Sequence, residues 1–298
     1  MFPTFHPHKI STSTHPPVTI HTLTSPPTGP PLLLLHGFPQ NLNIWHRITP
    51  HLTSHYTLTL LDLRGYGQSS KPRGGPNHEQ YSKSAMAADC VAVMTHLGHE
   101  NFYICAHDRG ARVAHKLCVE YPERVKRALF LDICPTLAMY NKTDFAFASA
   151  YWHWFFLIQP APLPESLMVA NPRSYIENTL GARHGAGIEV FDKSALESYV
   201  VQMGDAEGVH GMCEDYRAAA GVDLVEQKAD AEAGRKIKCA VRVLWGRRGV
   251  IEKLFDAVGE WRKVCGGLVE GESLDCGHYI PEEAPEVLVK HIEEFLRE

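Results

Sequence analysis

Five short apolar runs punctuate the chain, and each ends in turn-forming or acidic residues. Leu32 to Leu35 runs into His36-Gly37-Phe38-Pro39, and Leu58 to Leu61 into Asp62-Leu63-Arg64-Gly65-Tyr66-Gly67. Phe102 to Cys105 runs into Ala106-His107-Asp108-Arg109-Gly110. Ala128 to Leu131 ends at Asp132, and Val241 to Leu244 at Trp245-Gly246. Runs this short fit strands covered on both faces better than helices. Stretches with helical spacing, such as Ser84 to Leu97 and Ala111 to Glu120, lie between them. Strands alternating with helices predict an α/β fold with a mostly parallel sheet flanked by helices. Functional residues of such sheets gather beyond the carboxyl ends of the strands. His36, Asp62, Asp108 and Asp132 all fall there.

From about Leu137 to about Lys228 the strand rhythm stops. The aromatic stretch Tyr151-Trp152-His153-Trp154-Phe155-Phe156 stands near its start, and Pro160, Pro162 and Pro164 interrupt it. This stretch reads as several short helices inserted between two core strands. The expected organisation is a core of residues 1–136, with residues 1–28 as an exposed lead-in. A helical cap follows over 137–228, and the core closes over 229–298.

Composition narrows the function. A net charge of −5 over 298 residues, with lysine and arginine dispersed, gives no pull toward nucleic acid or an anionic membrane. Eighteen histidines show no metal-ligand spacing, and His6, His8 and His15 sit in the polar N-terminal stretch. Eight cysteines form no Cys-x-x-Cys pair and read as reduced core residues. Met1 to His21 lacks a charged segment followed by an apolar one, as a secretory signal would have, and the apolar runs are too short to span a bilayer. A cytoplasmic protein acting on a small molecule, with neither metal nor cofactor, is expected.

The sharpest chemical signal is Ala106-His107-Asp108-Arg109-Gly110. Small residues two before and two after a polar centre, between strand and helix, form the pattern of a nucleophile elbow. Here the centre is a carboxylate, which can displace a leaving group from saturated carbon and become an ester. The same Asp108 also suits a helix N-cap. Arg112 lies one helical turn beyond it, and Arg109 and Arg112 offer planar forks suited to a carboxylate, or else a surface ion-pair pattern. A late histidine, His278, follows Asp275-Cys276-Gly277, where this fold keeps its base. Asp132 ends its strand as an orienting acid would, although strand-end aspartates also serve plain turns.

These residues resemble the α/β-hydrolase fold, and more closely the fluoroacetate (haloacetate) dehalogenases. The resemblance rests on His36-Gly37-Phe38-Pro39-Gln40, Asp62-Leu63-Arg64-Gly65-Tyr66-Gly67 and His107-Asp108-Arg109-Gly110-Ala111-Arg112. Further pieces are Asp132-Ile133-Cys134-Pro135-Thr136, His153-Trp154-Phe155-Phe156, Cys213-Glu214-Asp215-Tyr216-Arg217 and Cys276-Gly277-His278-Tyr279 with Pro281-Glu282-Glu283. They run in order over roughly residues 30–285.

The resemblance implies a mechanism. Asp108 is the nucleophile, His278 the base that activates water and Asp132 its orienter. Arg109 and Arg112 hold the substrate carboxylate, while His153, Trp154 and Tyr216 seat the departing halide. Plain packing is the other reading of that aromatic group. The Phe38 backbone N–H, alongside that of Arg109, would face the ester oxyanion, and His107 would support the elbow. Arg183 stands where compared enzymes carry a tryptophan, which implies a wider pocket. The reaction implied is hydrolytic dehalogenation of short 2-haloacids, and relatives of this kind are commonly homodimers. An epoxide hydrolase with the same Asp and His is the alternative. Its epoxide oxygen would be protonated by Tyr216 and one of Tyr151, Tyr175 or Tyr199.

Overall fold

The structure is a computed structural model, and it describes residues 1–181 and 187–297. Its frame is an eight-stranded sheet. The strands are β1 (His6–Thr14), β2 (Pro17–Thr24), β3 (Pro31–Leu35), β4 (Thr57–Leu61), β5 (Phe102–His107), β6 (Val125–Leu131), β7 (Ala240–Gly246) and β8 (Val269–Leu274). Their order is β1-β2-β4-β3-β5-β6-β7-β8. The hairpin β1–β2 and its junction with β4 are antiparallel, and every later pairing is parallel.

The five apolar runs are the five adjacent central strands β4, β3, β5, β6 and β7. Both faces of these strands are covered. Leu33, Leu35, Ile104 and Ala106 belong to one apolar cluster, whereas Leu32, Leu34, Tyr103 and Cys105 belong to another. Successive side chains point to opposite sides, so an unbroken apolar run feeds both cores. The first cluster takes in Val113 and Leu117 of the helix Arg109–Glu120 and residues of the inserted helices. The second includes Leu288, Ile292 and Phe295 of the last helix, Pro285–Leu296.

The expected lead-in is a correction. Residues 6–24 are not exposed tail but the β1–β2 hairpin at one edge of the sheet. Ile10, Val18 and Ile20 are buried, as are His21 and Thr22, while the other histidines and threonines of the hairpin face outward or sit half-buried. A one-sided strand at a sheet edge needs only a few apolar residues, and threonine serves its wet side well. Between β6 and β7 the regular elements among the described residues are all helical, from Thr136–Asn141 to Val222–Glu232. Arg183 lies outside the described residues. No helix among the described residues is long and apolar enough to cross a membrane.

Candidate active site

Strand β5 ends at His107, and the chain turns sharply at Asp108, whose φ of 47° and ψ of −115° are unusual for a residue with a side chain. Such a conformation costs of order 1–3 kcal/mol and persists only where the surroundings impose it. Here close packing imposes it. A Cβ on Gly110 would lie 2.4 Å from the His36 carbonyl oxygen, and one on Gly37 only 2.5 Å from the Asp108 Cβ. The glycines let strand end, elbow and the loop after β3 come together. The helix-cap reading of Asp108 is not met, because its carboxylate makes no cap bond. Instead the Phe38 N–H donates to Asp108 Oδ1 at 2.9 Å.

His278 lies opposite. Its Nε2 stands 3.8 Å from Asp108 Oδ2, and its Nδ1 is 2.5 Å from Asp132 Oδ2. Asp132 is itself held by the Gly246 N–H, which donates to Oδ1 at 2.8 Å. The sheet therefore brings the ends of β5, β6 and β7 and the loop after β8 to one point. Burial would raise the Asp108 carboxyl, but His278, with Arg109 and Arg112 behind it, outweighs burial and holds it below the usual range. His107 touches the His278 carbonyl through Nε2 at 2.8 Å. Burial, then the neighbouring His278, pushes His107 down to about 3, so it is neutral at ordinary pH.

The two arginines differ. Arg109 is fully buried, its Nε and Nη2 donate to the Asp215 carboxylate at 2.9 and 2.7 Å, and its Nη1 has no protein acceptor. Arg112 is 1% exposed and meets only neutral groups. Its Nη1 donates to Thr136 Oγ1 at 2.8 Å and its Nη2 approaches Met139 Sδ at 3.1 Å, while Nε has no acceptor. Burial, then Arg109 beside it, lowers the Arg112 pKa. Neither fork is thus wholly open, as the pattern alone had suggested; each arginine keeps one unanswered nitrogen.

His153 and Trp154 share the inserted helix Trp152–Leu157, Tyr216 comes from another, Ala206–Ala220, and the three rings meet at Tyr216 beside Phe38. The Tyr216 ring lies 5.9 Å from His153, 6.3 Å from Trp154 and 5.2 Å from Phe38. The guanidinium of Arg109 sits 4.1 Å over the Tyr216 ring and that of Arg112 4.7 Å over Trp154. These aromatic faces favour cations in a dry setting. A cavity of about 800 Å³ adjoins this group, lined by His153, Trp152, Tyr175, Asn178 and Lys253. A second, of about 710 Å³, lined by His115, Lys142, Asp230 and Lys263, holds none of these site residues. No set of three or more His, Cys, Asp or Glu suited to a metal occurs among the described residues.

Two buried acids escaped the reading of the sequence. Asp215 was visible only as part of a motif, and Glu282 only as part of Pro281-Glu282-Glu283. Tyr199 Oη donates to Glu282 Oε1 at 2.7 Å and Gln40 Nε2 does so at 3.3 Å. An acid in the middle of an apolar helical face, as Asp215 is between Met212 and Ala219, was the available signal.

The chain belongs to the α/β hydrolases: the family model for the alpha/beta hydrolase fold matches residues 30–285. It belongs, more narrowly, to the fluoroacetate dehalogenase family. A fluoroacetate dehalogenase of Burkholderia sp. is 41% identical over 269 residues, 90% of this chain and 88% of that protein. A soluble epoxide hydrolase of Corynebacterium sp. (strain C12) is 27% identical over 88% of each chain. Among solved structures, one from Nostoc sp. PCC 7120 of the α/β hydrolase class superposes with a TM-score of 0.95 at 46% identity, covering 99% of both chains.

Proposed function

We propose that this enzyme is a hydrolytic dehalogenase of short 2-haloacids. Asp108 attacks the halogen-bearing carbon from its free carboxylate oxygen and expels halide, forming an aspartyl ester. His153, Trp154 and Tyr216 solvate the departing anion in a site shielded from bulk water. His278 then takes a proton from water, and the resulting hydroxide adds to the ester carbonyl carbon. The Phe38 N–H, already on Asp108 Oδ1, receives the negative charge that develops there. Collapse returns the Asp108 carboxylate and releases the 2-hydroxy acid, and Asp132 stabilises the imidazolium formed on the way. The balance is one haloacid and one water in, one hydroxy acid, one halide and one proton out.

The observation that carries an anionic substrate is Arg112, a buried guanidinium whose hydrogen-bond partners are all neutral. A buried guanidinium with no acid bonded to its fork is expensive, and a substrate carboxylate supplies that missing partner. The kinship with epoxide hydrolases keeps a second reading, in which Tyr216 and another tyrosine protonate an epoxide. Tyr199 suits it poorly, since its hydroxyl is committed to Glu282. Incubation with fluoro-, chloro- and bromoacetate and a styrene-type epoxide, with halide and diol measured, decides between them. Halide release carries the dehalogenase reading, and diol without halide overturns it.

A homodimer in the cytoplasm completes the proposal. Phe145, Trp152, Leu163 and Leu167 are exposed large apolar residues close together in the chain, and all eight cysteines are free thiols. Light scattering on purified protein tests the assembly.

A further inference from the structure

Arg109 is aimed before any substrate arrives. Its Nε and Nη2 hold the Asp215 carboxylate, and Nη2 also reaches the Asp215 carbonyl oxygen at 2.8 Å. The Asp215 carboxylate takes two more donors, the Tyr66 hydroxyl at 2.8 Å and the Lys83 ammonium. Lys83 in turn pairs with Asp223 Oδ2 at 3.1 Å. All these groups are buried. Burial would raise the Asp215 carboxyl, but Arg109 and Lys83 outweigh it and hold it far below the usual range. Asp215 is therefore a fixed anion.

Arg109 has two carboxylates to choose from. It is the next residue after Asp108, and its charge already bears on that carboxylate. Asp215 occupies two of its three nitrogens and leaves Nη1 without a protein acceptor. The Tyr216 ring beneath, 4.1 Å from the guanidinium carbon, limits the remaining rotation. Asp215 and Tyr216 are adjacent on the helix Ala206–Ala220, so one turn of that helix sets both.

We infer that Asp215 is a positioning residue, which draws the Arg109 fork away from Asp108 and aims Nη1 at the substrate carboxylate. It thereby makes the site selective for anionic over neutral substrates. This rests on the dehalogenase reading and refines it.

The test combines steady-state kinetics on chloroacetate with binding of glycolate, an unreactive hydroxy-acid anion, measured by calorimetry. Asp215→Asn should raise both KM and the glycolate Kd by roughly tenfold or more, as expected when a charge-assisted contact is lost, while kcat falls less. In an Arg109→Met background the same substitution should add less than about twofold, because Asp215 acts through Arg109. Tyr66→Phe removes one bond to Asp215 and no charge. It should shift KM and Kd in the same direction by a few-fold, and it decides the matter if Asp215→Asn does not fold. Unchanged KM and Kd in the folded variants, or an undiminished Asp215→Asn effect without Arg109, overturns the inference. If wild-type protein releases no halide, the dehalogenase reading falls separately. Glycolate binding to wild type and Tyr66→Phe then still decides the role of Asp215, and absence of binding to wild type overturns it.

Discussion

At the scale of single residues, the proposed chemistry divides between two side chains that can be removed one at a time. Asp108→Asn should abolish halide release with little change in melting temperature, since the amide keeps the shape and loses the nucleophile. Near-normal turnover in protein free of wild type would contradict the covalent route. His278→Ala should behave differently, because ester formation needs no base whereas ester hydrolysis does. Intact-mass spectrometry after chloroacetate treatment should find a carboxymethyl adduct, mapped to Asp108; unmodified, inactive protein would refute that division. Arg112→Lys should lower kcat/KM for haloacetates about ten- to a hundredfold, roughly 1.5–3 kcal/mol. One ammonium cannot hold Thr136 and Met139 while also presenting the nitrogen left without an acceptor. Much of this site was legible in the sequence, because strand-end residues and the glycines around an elbow have local signatures. The Arg109–Asp215 pair was not. It joins residues 106 positions apart, and nothing in the chain shows which buried acid a given arginine will find.

At the scale of elements, the central strands were legible because burial on both faces leaves an unbroken apolar run. The hairpin β1–β2 and the strand β8 were not, since these strands, at or next to a sheet edge, carry polar side chains at half their positions or more. The sequence of β8, Val269-Glu270-Gly271-Glu272-Ser273-Leu274, is mostly exposed or half-buried. The short helix Ile280–Glu283 carries a consequence for pH. Burial raises Glu282 from 4.5 to about 8, against the hydrogen bond from Tyr199 and the nearby Arg47. Its carboxyl is thus protonated in the folded protein over a range where the unfolded chain has released the proton. Folded protein binds more protons at this site, so the contribution of Glu282 to stability falls as pH rises from about 4.5 toward about 8. Glu282→Gln, which has no proton to lose, should flatten that fall. Melting temperatures of both proteins between pH 5 and pH 8.5 check it, and parallel curves would refute it.

At the scale of the whole molecule, the proposed reaction is split between two bodies of structure. Asp108, Asp132 and His278 stand on the strand ends and loops of the sheet, whereas His153, Trp154 and Tyr216 stand on the helices between β6 and β7. Replacing the segment 137–228 with the corresponding helices of an epoxide-hydrolysing relative should therefore exchange the leaving group and keep the ester hydrolysis. Diol release from a styrene-type epoxide, with halide release lost, is the expected result. The graft must bring an acid for Arg109 and Lys83, or both are left buried without counter-charge.

Strands β6 and β7 are parallel neighbours, with Leu131 opposite Leu244. The long helical excursion thus departs and returns through adjacent strands, about 5 Å apart. In the language of descent, such an excursion is a detachable character. Its ends make a narrow splice, across which lineages could vary what is expelled while inheriting unaltered the means of hydrolysing the ester.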